Sequence, residues 1–341
     1  MDAWWKGILD SLVMGMLVPG LMISIGTKWH NGGPNLPIVR QPSEETVQKT
    51  VQETPQEIVS QKMKLLAGSG SVEQMELEDY VTSVLLGEMP GTFELEALKA
   101  QAVVARTVVC RAMYTGGKHG QGAVCTQSSC CQAFVTEEEY LNQGGTEETI
   151  EKMRNAAYQT AGQILTYGEA PIEATYFSCS GGRTEDAVAV WGTELSYLKS
   201  VESPGEEGAA HYRDEQRFSG EDFSDKLGLS LTGDPAGWFG KTTYTAGGGV
   251  DTMQIGDSIF RGTELRTRLG LRSTAFTVAI EGGEIVITTK GFGHRVGMSQ
   301  YGANAMASDG YSYQQILEHY YSGTTLDQWD GCEKRIANHG E

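Results

Sequence analysis

At 341 residues the chain is long enough for one large or two modest domains around a sizeable core. Its 44 acidic residues against 26 Lys and Arg give a formal net charge of −18, which excludes the Lys- and Arg-driven phosphate neutralisation behind non-specific nucleic-acid binding. A hydrophobic content of 39% is that of a globular protein.

The first element is "GILDSLVMGMLVPGLMISIG", residues 7–26, in which Asp10 is the one charge. That length spans a bilayer core of about 30 Å. Trp4 and Trp5 suit the membrane interface and Lys28 closes the far side. Without a small-residue cleavage pattern the segment reads as an uncleaved single-pass anchor, and the near balance of Lys6 and Lys28 leaves its orientation open. Residues 27–71 are rich in Pro, Gln, Glu, Ser and Thr and read as a flexible tether that ends in the hinge "LAGSGS". The folded part is expected over 72–332.

Two helices open it. In "VEQMELEDYVTSVLLGEMP", Leu77, Tyr80, Val81, Val84 and Leu85 share one helical face. Gly87 is expected to end this helix, and Pro90 pushes Met89 away from helical geometry. Glu88 is thereby fixed at a corner. Next, "FELEALKAQAVVARTVVCRAMY", 93–114, is a long helix crowded with Ala and Val and buried nearly all round. Arg106 lies among Ala102, Val103, Val109 and Cys110. A guanidinium there requires an anion, either a core carboxylate or a substrate.

A third helix is expected near 147–161, and "GQILTYGEAPIEATYFS" reads as a hairpin around "GEAP". "SYLKSV" reads as a short strand with Tyr197 and Lys199 on one face. Residues 205–286 form a β-rich inserted lobe, with strand signals in "TAFTVAI" and "GEIVITTK". The chain then returns through the Gly-rich "GFGHRVGMSQYGANAMA" into one or two helices. The fold class is α+β (mixed α/β): a helical core over 72–204 and 287–332 with strands and the inserted lobe.

The cysteines form a second constellation. "HGQGAVCTQSSCC" sets His119, Cys125 and Cys131 at six-residue spacing in a Gly- and Ser-rich loop. Thiolates with an imidazole suit zinc, with water, Cys130 or Cys110 as fourth ligand. Disulfides and free thiols are the alternatives, although adjacent Cys130 and Cys131 are awkward for two bridges. His294 follows a Gly-rich stretch that lacks the P-loop Lys-Ser/Thr ending, and reads as a cleft-wall or structural histidine. No G-x-S-x-G elbow surrounds Ser178.

"LLGEMP", "ALKAQAVVART", "ATYFSCSGGRTED", "SYLKSV" and "GFGHRVGMSQYGANAMA" occur in this order over most of 72–325. Together they resemble the stage II sporulation protein D family of membrane-anchored lytic transglycosylases. The resemblance implies cleavage of peptide-stripped peptidoglycan glycan strands during forespore engulfment, with residues 1–6 as a cytoplasmic tail and the catalytic domain on the extracytoplasmic side of the cell membrane. It implies partnership with a cell-wall amidase and a membrane scaffold. It also implies Glu88 as catalytic acid, Arg106, Tyr197 and Lys199 as substrate-binding residues, and zinc in the region of His119, Cys125 and Cys131 in some members.

The residues fit that chemistry. Glycosidic cleavage usually employs two carboxylates. A lytic transglycosylase manages with one, because the C6 hydroxyl of muramic acid attacks its own anomeric carbon. The acid must be protonated near neutral pH, which calls for an apolar setting such as Leu85, Leu86 and Met89. The rival classes are a zinc-dependent cell-wall hydrolase and a non-catalytic glycan-binding partner of an amidase.

Overall fold

The computed structural model describes residues 61–329 apart from Ser69. The expected membrane span, residues 27–60 of the tether, and Cys332 lie outside the described residues. No helix among the described residues is long and apolar enough to cross a membrane.

The tether ends earlier than expected. Strand β1 (Lys62–Leu66) pairs antiparallel with β2 (Val72–Glu76), setting Lys62 opposite Glu76. The alternation in "KMKLL" turns Met63 and Leu65 into the core and the lysines outward.

Helix α1 (Leu77–Glu88) buries Leu77, Tyr80, Val81, Val84 and Leu85, as their spacing predicts. The residue before Pro90, Met89, is extended at φ −118° and ψ 133° and ends the helix. Gly87 does not end it; the helix continues to Glu88. A Cβ at Gly87 would stand 3.0 Å from the Ala133 carbonyl carbon and 3.1 Å from the Phe134 nitrogen. The glycine is there to admit a passing backbone.

Helix α2 (Leu95–Thr115) runs through the middle of the core, with Ala97 through Ala105 buried along most of its circumference. The loop after it carries β3 (Val124–Cys125), which pairs parallel with β1 and sets Cys125 opposite Leu66. Two capped helices follow, α3 (Glu137–Asn142) and α4 (Glu147–Gln159), the first opened by a Thr136–Glu139 capping box. The expected hairpin is present as β4 (Gln163–Tyr167) and β5 (Ala170–Pro171), turning through left-handed Gly168 and Glu169. Next come β6 (Tyr176–Phe177) and the short α5 (Ala187–Trp191).

"SYLKSV" forms no strand. It is tied to the preceding loop by single bonds instead, Ala187 N–H to the Leu198 carbonyl at 3.1 Å and Thr184 N–H to that of Val201 at 2.9 Å. Without a pleat, Tyr197 turns into the core while Lys199 stays half-exposed.

The inserted lobe has its own core around Phe218, Phe223, Trp238, Leu265 and Ile285. It contains β7 (Arg213–Phe218), α6 (Gly220–Leu227), β8 (Phe239–Tyr244), β9 (Val250–Ile255), β10 (Ser258–Arg261), α7 (Gly262–Leu269), β11 (Phe276–Glu281) and β12 (Glu284–Lys290). These strands make two three-stranded antiparallel sheets, ordered β10-β9-β8 and β11-β12-β7. Strand β12 carries the lobe to Lys290, past the expected 286, and its two helices make it α+β rather than purely β.

The chain returns through β13 (Met298–Ser299), α8 (Gln300–Ser308), α9 (Tyr313–Tyr320) and β14 (Thr325–Gln328). Strand β13 pairs with β6 and β14 with β4, so the C-terminal segment completes sheets begun before the lobe. The architecture is α+β, as the sequence predicts.

Candidate active site and metal centre

Three segments distant in sequence converge on Glu88. Its Oε1 accepts a hydrogen bond from the Ala133 backbone N–H at 2.7 Å and another from the Tyr176 hydroxyl at 2.9 Å. Its backbone carbonyl accepts from Gln300 Nε2 at 3.3 Å. No hydrogen bond reaches Oε2 from the described residues. Leu85, Leu86 and Met89 beside it are all buried.

Tyr176 is built to remain a donor. Burial, then the facing Glu88 charge and their hydrogen bond, push its pKa well above the ordinary phenol value. Buried Gln132 completes the network: its Oε1 lies 3.3 Å from the Tyr176 hydroxyl, and its Nε2 donates to the Tyr80 oxygen at 3.3 Å. Tyr176 stands in the quoted "ATYFSCSGG" motif, yet nothing in the sequence alone singled it out. Gln132 and Ala133 carried no signal at all.

Directly upstream of Gln132 lies the Cys and His cluster. The donor atoms of His119, Cys125, Cys130 and Cys131 all lie within 4.8 Å of one another. His119 Nε2 is 3.5 Å from both the Cys130 and Cys131 sulfurs. A tetrahedral zinc with bonds of about 2.3 Å to sulfur and about 2.0 Å to nitrogen sets that same N···S separation at about 3.5 Å. The residues therefore fit zinc, and of the cysteines offered as fourth ligand it is the Cys130 sulfur that lies with the other three donor atoms. No disulfide joins the described cysteines.

Local structure explains the convergence. Strand β1 pins Cys125, whose N–H points at the Cys131 sulfur at 3.4 Å. The Gln127 carbonyl accepts from the N–H groups of both Cys130 and Cys131 in a tight turn. Lys118 Nζ donates to the Cys130 carbonyl at 2.6 Å. Burial, and the facing Cys125 and Cys130, push the Cys131 thiol up to about 12. At Cys125 burial acts in the same sense, but hydrogen bonds from the Gln127 N–H and the neighbouring thiols outweigh it and lower the pKa.

Arg106 is not brought to this site. It is fully buried and ion-paired to Glu78, with Nε 2.9 Å from Glu78 Oε1 and a second contact through Nη2. Its remaining donors reach the carbonyls of Gln163 at 3.1 Å and Ala157 at 3.0 Å. Its charge and donors are engaged at the joint of α1, α2, α4 and β4, which is the core-carboxylate alternative of the two that its sequence setting offers. Tyr197 packs at 5.4 Å against Tyr167 and accepts from the Glu173 N–H at 3.1 Å. Lys199 pairs with the exposed Glu194 at 2.9 Å.

Residues 67–167 match the Stage II sporulation protein family. The chain is 42% identical over 265 residues to "Stage II sporulation protein D" of Bacillus subtilis (strain 168), covering 76% of this chain and 77% of that protein. The chain belongs to the stage II sporulation protein D family. The Bacillus amyloliquefaciens protein of the same name is also 42% identical, over 76% of each chain. "Amidase enhancer" of Bacillus subtilis (strain 168) is 31% identical over 307 residues, or 72% of this chain and 40% of that protein. Glu88 and the four residues of the Cys and His cluster fall inside the stretch that matches the family, whereas Tyr176, Tyr197 and Lys199 fall beyond it.

Proposed function

We propose that this protein is a peptidoglycan lytic transglycosylase that cleaves the bond between N-acetylmuramic acid and N-acetylglucosamine in peptide-stripped strands, leaving a 1,6-anhydro end. The observation that carries this reading is the asymmetric holding of Glu88. Two donors fix Oε1 and leave Oε2 as the oxygen that carries and delivers a proton. Oε2 protonates the glycosidic oxygen as the bond to the anomeric carbon breaks. The C6 hydroxyl of the same muramic acid then attacks that carbon and returns its proton to Glu88. One carboxylate thus serves as acid and then as base, and no water needs activation.

In this reading zinc is held by His119, Cys125, Cys130 and Cys131. When bound it supplies a structural cross-link to a loop with little apolar material of its own. Four protein ligands leave no open position for a water, which favours a structural role over a zinc hydrolase. The loop in turn presents Gln132 and Ala133 to the carboxylate. Lys199 remains an accessible cation for an acidic glycan, since an exposed pair such as that with Glu194 exchanges readily.

Family membership supports a role in forespore engulfment, with residues 7–26 as membrane anchor and the catalytic domain on the extracytoplasmic side. The likeness to a protein named amidase enhancer supports an amidase partner, which would supply peptide-free strands. The test is mass analysis of peptide-free glycan after incubation with the protein. Products one water lighter than reducing-end fragments support the reading. Reducing ends alone would mark a hydrolase, and no cleavage a binding module.

A further inference from the structure

The cation first expected to meet substrate, Arg106, is consumed in the core, which raises the question of what else receives an acidic strand. Of the four arginines between 261 and 272, three are engaged. Arg261 donates to the Ala189 carbonyl at 3.2 Å, Arg268 pairs with Glu264 at 2.8 Å, and Arg272 pairs with Asp214 at 3.1 Å. The Arg266 side chain, half-buried on α7, has no ion-pair or hydrogen-bond partner among the described residues.

Its surroundings are aromatic. Arg266 stands close enough to His294 for its charge to act on the imidazole. The His294 ring lies 5.3 Å from that of Trp191 and 5.6 Å from that of Phe177. Trp191 is 44% exposed at the end of α5, and the Arg261 bond to Ala189 fastens α7 to that same helix. His294 accepts from the Val296 N–H at 3.1 Å through Nδ1, and its ring packs on Phe177, the residue after Tyr176. Tyr176 is the residue whose hydroxyl holds Glu88. The path from the candidate acid thus passes through Tyr176 and its neighbour Phe177 to the His294 ring and an exposed indole, with the unpaired guanidinium on the helix that Arg261 fastens alongside.

We propose that Trp191, His294 and Arg266 form a glycan subsite in which the indole stacks on a pyranose face and Arg266 binds the lactyl carboxylate of a muramic acid residue. The inference rests on the glycan-cleaving reading. A sugar presents an apolar C–H face to an aromatic ring. The lactyl carboxylate is the one anion of a peptide-free, N-acetylated strand, and an arginine fork matches it in two-point geometry. In a chain of net charge −18, an anionic strand needs such a local cation.

The test is calorimetric titration of the full-length Glu88→Gln protein, which keeps strands intact, with two oligosaccharides of equal length. One is peptide-free muramic acid-containing glycan, and the other is chito-oligosaccharide, which lacks the carboxylate. The muramic ligand is expected to bind about tenfold more tightly, the scale of one charge-assisted pair. Adding Arg266→Gln removes that preference, Arg266→Lys restores part of it, and Trp191→Ala weakens both ligands. Methyl esterification of the lactyl carboxylate mimics Arg266→Gln without altering the protein. A preference that survives both Arg266→Gln and esterification, or no preference at the outset, overturns the subsite. Failure of the transglycosylase reading looks different: the preference holds, but unmutated protein yields no anhydro product.

Discussion

Glu88 Oε1 accepts its 2.7 Å hydrogen bond from the backbone of Ala133, two residues beyond Cys131. The carboxylate at the end of α1 is thus positioned by the segment that leaves the cysteine loop. Gly87 is what lets that segment approach, since a Cβ there meets main-chain atoms that cannot swing aside.

Gly87→Ala is therefore expected to push the Ala133 N–H away from Glu88. Cleavage should fall tenfold or more, by the order-of-magnitude cost of misplacing a catalytic group by a fraction of an ångström. The loss of stability should be modest. Initial rates on peptide-free glycan, with melting curves beside them, check this, and an unchanged rate would show that the Ala133 bond is dispensable.

Arg106→Ala acts on the fold. It strands Glu78, which also accepts from the Gly162 N–H at 3.1 Å, as an uncompensated buried charge. The expected loss is about 3–5 kcal/mol, read by chemical denaturation. Reduced glycan affinity at unchanged stability would return the arginine to the substrate.

For the cysteine cluster, purified protein should carry about one zinc per chain, and Cys130→Ser should weaken retention against a chelator by removing one of four ligands. Chelation should lower the melting temperature and slow cleavage without abolishing it, because the loop presents Ala133 while the proposed proton transfer belongs to Glu88. A complete, zinc-reversible loss in protein that remains folded would favour the hydrolase class instead.

The pH dependence of stability should carry a signature of His294. Burial, with help from the Arg266 charge, lowers its pKa from 6.5 to about 4. Between those values the unfolded chain binds a proton that the folded one refuses, so stability is full above about pH 6.5 and declines as pH falls toward 4. Between pH 7 and 5 this amounts to on the order of 2 kcal/mol. His294→Gln should shrink the difference between denaturation curves at those two pH values by that amount. An equal acid slope in the variant would place the titration elsewhere.

Much of this was legible because helical spacing and chain breakers are local. The face of α1, the corner at Met89 and Pro90, and the 163–171 hairpin all follow from residues within a few positions of one another. What was not legible depends on long-range pairing. β1 was hidden in a stretch of tether-like composition, although "KMKLL" alternates as a strand does. Strand pairing across an inserted lobe of about eighty residues brings Tyr176 beside Met298, and no local signal foretells that partnership. Glu78 could not be named as the partner of Arg106 for the same reason: the two lie on different helices, 28 positions apart. Cys130 was only one of several possible fourth ligands until the 127–131 turn placed its sulfur.

The most direct measurement is a parallel digestion of peptide-free glycan strands by unmutated and Glu88→Gln protein, resolved by mass. The amide keeps the size and the hydrogen-bond acceptor at Oε1 but cannot deliver a proton. The unmutated protein is expected to give 1,6-anhydro ends and the variant intact strands, with both folded to the same melting temperature. Anhydro products from a fully folded Glu88→Gln protein would contradict it.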